Sequence, residues 1–197
     1  LLSGLPGIIG FGLRSLIYPF LFKECKSKPA IGKGVTIRGS KNIVLGKNVL
    51  IDDYAVIDAR GEGAKIIIGD YVSIGRFTTI AAKGGVVTLE SGVNIGSYCR
   101  VATQSELKLG ESTLVAAFAY VGPGNHSTEG EGPLISQNME KKGGTFIGKE
   151  CWIGAHTTVM DGVTLGDKVI VGAHSFVSKS FENNATVVGV PAKRLDQ

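Results

Sequence analysis

The sequence predicts an all-β solenoid, a chain wound into about seven three-sided coils that stack as a triangular prism. Aliphatic residues recur every six positions over most of the chain, and small residues keep the same clock four positions later. In addition, 29 of the 197 residues are glycine, beside only six prolines and without an every-third-residue order. That excludes collagen and low-complexity sequence, and leaves tight corners as the use for the glycine.

The clock is clearest from residue 147, where Ile147, Ile153, Val159, Leu165, Val171 and Val177 are spaced by six. A helix returns an apolar face every 3.6 residues and a strand every second residue, and neither period fits. Cys151, Thr157, Val163, Val169 and Ser175 form the companion series, so both are expected to point inward. Upstream, the aliphatic blocks are Leu45, Ile51, Ile57; Ile68, Ile74, Ile80; Leu89, Ile95, Val101; and Leu109, Val115, Val121. Ile31 and Ile37 form a leading partial block. The small slot continues as Val49, Ala55, Val72, Thr78, Val93, Cys99, Thr113 and Ala119. Three hexads make three flat sides and three corners, with successive coils about 4.8 Å apart, so seven coils form a rod of roughly 30 Å.

This divides the chain into an N-terminal segment at 1–28, the coil at 29–185 and a tail at 186–197. Block starts fall 18 to 23 residues apart except between 109 and 147. The excess there is an excursion at 122–146 that contains His126 and opens "YVGPGNHSTEGEG".

The first 23 residues are mainly apolar and off the clock, basic residues follow directly, and a short helix is expected at about 9 to 18. Arg14 at its centre, four glycines and two prolines argue against a membrane span. Two roles fit. The segment caps the open end of the prism, or it anchors the protein at a membrane interface with Lys23, Lys26, Lys28, Lys33, Arg38 and Lys41, where Glu24 is the only acid.

Composition sets the remaining bounds. Cys25, Cys99 and Cys151 show neither CxxC spacing nor a disulfide framework, which points to a reducing compartment. The net charge of +4 is not concentrated as a nucleic-acid stripe, yet it suits an anionic small ligand or membrane surface.

Over about 150 residues the repeat resembles the left-handed parallel β-helix built from hexapeptide repeats, and its hand is implied by that resemblance. The stretches "IGKECWIGAHTTVMDGVTLGDKVIVGAHSFVSK" and "VVGVPAKRL" further resemble the acyl-CoA-dependent acetyltransferases of this fold, the branch with maltose, galactoside and polysaccharide O-acetyltransferases. The resemblance implies acetyl-CoA as a cosubstrate with no tightly bound cofactor, a saccharide acceptor and a homotrimer with ligand grooves between subunits, and the dispersed charge predicts no nucleic acid. It places His126 as general base. An acceptor hydroxyl holds its proton about as tightly as water does, far above neutral pH, and a histidine at ~6.5 is largely neutral near pH 7.

The same resemblance puts Trp152, Gly154, Ala155 and Ala173 along the CoA arm, with Lys179 and Lys193 near its phosphates and Arg194 as a weaker match. Asn125, Glu129 and Glu131 are candidates for the acceptor site, and either glutamate could orient the His126 ring.

His156 and His174 lie one coil apart in the same slot and are expected to stack on one corner. With His126 they raise the alternative of a zinc-dependent carbonic anhydrase of the same fold. The spacing argues against it, and no metal is expected. A non-catalytic scaffold is the other alternative. The favoured reading is a cytoplasmic O-acyltransferase, peripheral at the inner face of the membrane if residues 1–41 touch lipid.

Overall fold

The computed structural model describes residues 2–123, 126–127, 132–137 and 142–195. The chain winds through three parallel sheets, one per side of the prism. The first side runs from Glu24–Cys25 to Thr164–Leu165, the second from Ala30–Ile31 to Thr186–Gly189, and the third from Thr36–Arg38 to Phe176–Val177. With about seven rungs per side and one short helix at the N-terminus, the winding matches the expected left-handed β-helix.

Rungs pair slot on slot: Ile74 lies beside Ile95, Ile95 beside Val115, Val115 beside Ile153, and Ile153 beside Val171. Every aliphatic of the series from Leu45 to Val177 is 2% exposed or less, as is every member of the small-residue series. The small slot also bonds. The Thr78 hydroxyl donates to the Gly96 carbonyl at 2.7 Å and accepts from the Cys99 N–H at 3.0 Å, and Thr113 does the same with Gly148 and Cys151. The thiols of Cys99 and Cys151 reach the carbonyls of Ala116 and Gly166, each at 3.1 Å. Burial pushes both thiols above their ordinary pKa, so they remain neutral packing groups, and all three cysteines are free.

The coil reaches past the expected 29–185 on both sides. Glu24–Cys25 pairs with Val44–Leu45, so Cys25 keeps the six-residue clock with a sulfur where an aliphatic was sought. Thr186–Gly189 pairs in parallel with Ile170–Val171 and then turns back on Ala192–Arg194 through the cis Val190–Pro191 peptide.

One corner carries a column of rings. Tyr54, Phe77, Tyr98, Phe118, His156 and His174 stack in order, with centroids 4.7–5.2 Å apart and planes within 16°. Each has φ between 58° and 63°. That left-handed backbone costs roughly 1–2 kcal/mol per L-residue, and each stacked pair returns roughly 0.5–1.5 kcal/mol. The foot of the column rests on Gly34, where a Cβ would lie 2.5 Å from the Tyr54 ring.

The N-terminal segment caps the prism. Its helix, expected at about 9 to 18, spans Gly7–Ile17. Arg14 is 2% exposed, and its guanidinium donates to the carbonyls of Ile31 at 2.9 Å and Leu5 at 2.8 Å. The Leu5 carbonyl fits because residue 10 is glycine, where a Cβ would lie 2.0 Å from it. Tyr18 and Phe22 complete the lid over the core. The charge that argued against a membrane span thus satisfies the Ile31 carbonyl at an otherwise open end and ties it to the cap.

Two outcomes test this packing. Ile153→Ala should lower unfolding free energy by about 2–5 kcal/mol in urea titration. Asp58, nearly buried, accepts from the Arg60 Nε and Nη2, both at 2.8 Å, and these hydrogen bonds hold its carboxyl below the usual carboxylate range. A depressed folded pKa gives stability that is present above the unfolded value, ~3.9, and lost as pH falls through the folded one. The stability gap between wild type and Asp58→Asn should therefore be widest at neutral pH and narrow as pH falls below about 4.

Candidate active site

Two features depart from the plain coil, and each arises from the residues at a corner. The first is the excursion. It leaves between the third side, at Tyr120–Gly122, and the first, at Thr145–Ile147. This is the corner where earlier coils insert a few residues, as between Asp58 and Lys65. Gly122, at φ 146°, passes the Ala102 carbonyl where a Cβ would lie at 2.2 Å, and Gly144, at φ 107°, passes that of Glu106 where one would lie at 2.5 Å. Only glycine allows these two approaches. The Tyr120 hydroxyl donates to the Pro123 carbonyl, and the Lys142 N–H donates to Asp161 Oδ2 at 2.7 Å. The base of the loop is thereby tied on both arms.

His126 is exposed on this loop, with Nδ1 at 3.2 Å from the Gln137 carbonyl. A carbonyl only accepts, so this contact is a hydrogen bond when Nδ1 carries the proton. In the neutral ring that leaves the lone pair on Nε2. Among the described residues the ring's partner is a backbone carbonyl, which no side-chain pattern could have revealed. Asn125, Glu129 and Glu131 lie outside the described residues.

The second feature is a groove along the outer second side, a cavity of about 330 Å³ lined by Ala116, Trp152, Gly154, Ala155 and Ile170–Ala173. The four groove residues expected from the sequence come together here. Trp152 is 52% exposed and forms one wall. A Cβ on Gly154 would meet the Ala173 nitrogen at 2.6 Å, so the floor must be glycine. Among the described residues, the N–H groups of Ala155 and Ala173 have no acceptor, which leaves two donors one coil apart beside an apolar trough.

Lys193 stands opposite Val188, whose side chain covers Gly172 at the end of the groove. Arg194 follows it, exposed. Lys179 is also exposed, but it is not a groove residue. It directly precedes Ser180, on a separate recess of about 560 Å³ lined by Thr164, Gly166 and Ser180–Asn183.

His156 and His174 stack as expected, 4.7 Å apart and 5° from parallel. Rings in that arrangement direct their lone pairs side by side, not toward a shared ion. No group of three or more His, Cys, Asp or Glu that could hold a metal occurs among the described residues. The four aromatic members below them were missed because Tyr and Phe occupy a slot that elsewhere holds polar residues.

Comparison with known proteins agrees with this geometry. Residues 144–179 match the family described as "Bacterial transferase hexapeptide (six repeats)". The chain is 31% identical to Escherichia coli K12 WbbJ, named for O-acetyl transfer in lipopolysaccharide biosynthesis, over 68% of this chain and 72% of that protein. It is also 31% identical to an E. coli dTDP-4-amino-4,6-dideoxy-D-glucose acyltransferase, over 89% of this chain and 82% of that one. Among solved structures, AntD, an N-acyltransferase from Bacillus cereus in complex with dTDP and 3-hydroxybutyryl-CoA, shares the fold with a TM-score of 0.63. There the identity is 23%, with coverage of 92% of this chain and 86% of that one. With 31% identity to two acyltransferases over most of their length, and with the same six-residue repeat, the chain belongs to the hexapeptide-repeat acyltransferase family.

Proposed function

We propose that the protein transfers an acetyl group from acetyl-CoA to a sugar hydroxyl of a polysaccharide or its precursor, with His126 as general base. The observation that carries this reading is the Nδ1 contact to the Gln137 carbonyl, which leaves Nε2 to accept a proton at the surface of a tethered loop. In the step, the acceptor oxygen forms a bond to the thioester carbonyl carbon while its proton moves to Nε2. The carbon–sulfur bond then breaks, and the CoA thiolate leaves and takes that proton. General-base catalysis supplies typically ~10²- to 10⁴-fold, and holding the two substrates together supplies much of the rest.

The groove suits the pantetheine arm. Its small residues let the arm approach backbone, and the free N–H groups of Ala155 and Ala173 would donate to the arm's amide carbonyls. Lys193 and Arg194 would meet phosphate at one end, while Lys179 would serve only if the cofactor's far end bends around the last coil. We assign the working form to a homotrimer, in which a neighbour's loop supplies the histidine to each groove, and Asn125, Glu129 and Glu131 to acceptor contacts. A cytoplasmic location follows from the need for acetyl-CoA.

A second reading has support from the relative that acylates an amino sugar and aligns over 89% of this chain. In it, the nucleophile is the amine of a nucleotide-linked sugar, and His126 removes the proton after attack.

Purified protein with acetyl-CoA and a sugar panel should release free CoA thiol, and the product distinguishes the readings, because hydroxylamine cleaves an ester and leaves an amide. No thiol release and no CoA binding by calorimetry would end both. His126→Ala should lower kcat by about 10²- to 10⁴-fold with acetyl-CoA affinity unchanged, since the base touches the acceptor. Ala173→Leu, which places a bulky side chain in the groove, should instead weaken acetyl-CoA binding about tenfold or more, read by titration calorimetry, with the thermal midpoint preserved.

A further inference from the structure

The capping helix is inside out. Its inward stripe, at every fourth residue, is Gly10, Arg14 and Tyr18, and all three are buried. The opposite stripe, where a surface helix ordinarily carries charge, is Ile8, Gly12 and Leu16 flanked by Ile9 and Leu13. Ile8 is 85% exposed and Ile9 74%, and Phe20 in the turn that follows is 82% exposed. Arg14, the only charged residue before Lys23, points inward. Closing the prism accounts for Gly10, Arg14, Tyr18 and Phe22, but for none of the outward aliphatics. A contiguous apolar surface of this kind marks a contact with something else.

Charge identifies the partner. Lys23 and Lys41 are exposed beside this face, exposed Lys26 and Lys28 follow in the chain, and Glu24 is the only acid between residues 23 and 41. The Lys41 ammonium donates to the Phe20 carbonyl at 3.3 Å, so a cation stands directly at the most protruding ring. An apolar wedge bordered by cations matches an anionic bilayer, with aliphatics and ring below the headgroups and ammoniums at the phosphates. A two-fold contact of wedge on wedge between two copies of the chain would bring two lysine clusters together. No helix among the described residues is long and apolar enough to cross a membrane, so the contact lies in the interface.

We propose that the N-terminal cap docks the protein on anionic membrane surfaces, whatever hydroxyl or amine it acylates. Full-length chain should co-sediment with vesicles of equal parts phosphatidylcholine and phosphatidylglycerol. It should bind phosphatidylcholine alone at least about tenfold more weakly, and binding should fall as salt rises. Ile8→Asp with Phe20→Asp should abolish binding while leaving thiol release from acetyl-CoA with a soluble acceptor unchanged. Lys23→Glu with Lys41→Glu should abolish it as well, and this pair keeps the test open if the first pair misfolds. The proposal is overturned if wild type binds neither vesicle, or if neither pair alters binding. It is equally overturned if wild type forms larger assemblies in sedimentation velocity that the first pair dissolves, which would assign the face to a second copy.

Discussion

Each rung of this protein is hydrogen-bonded to the same rung one coil away, and that pairing constrains everything else. Where coils stack at about 4.8 Å, a side chain meets its counterpart in the next coil and in the one before it. A slot must therefore hold a column of compatible groups. Aliphatics fill the inner columns, threonine and cysteine satisfy carbonyls at the inner corners, and planar rings stack at one outer corner. The ring column shows how strong the constraint is. Six residues hold left-handed backbone there and each has a parallel ring above or below it, while corners such as Tyr71 and Lys168 hold the same backbone outside the column.

The candidate site follows from the same rule. A column of small residues on the second side leaves a trough, and the corners beside it turn backbone N–H groups outward at regular spacing. A chain that must do chemistry with a side chain cannot do it inside such a stack, whose inward side chains are packed away from solvent. It has to leave the coil. It leaves at the corner that already tolerates inserted residues, between two glycines that pass close to the carbonyls of the coil below. The histidine is then held by contact between the two arms of its own loop.

The end of the stack poses a different problem. An exposed last coil offers unpaired carbonyls and core to solvent. Here a buried arginine takes the Ile31 carbonyl and links it to that of Leu5 in the cap, while Tyr18 and Phe22 cover the core, so the helix turns its charge inward. That inversion leaves the aliphatic stripe outside, beside the lysines.

The winding, its seven coils, both inner columns and the stacked histidines were legible because a period of six is written in side-chain identity, and His126 stood out because its loop breaks that period. The groove was legible only through resemblance, since a trough is an absence of side chains that glycine and alanine also produce in ordinary corners. Cys25 hid the first rung because sulfur fills an aliphatic slot. Only the tertiary structure decided what Arg14 binds, which carbonyl orients His126, and that Lys193 adjoins the groove while Lys179 lies by another recess. The reason is physical. A repeat is a local property that each hexad carries by itself, whereas a backbone carbonyl looks the same in every residue and gains a role only when the fold brings a donor to it.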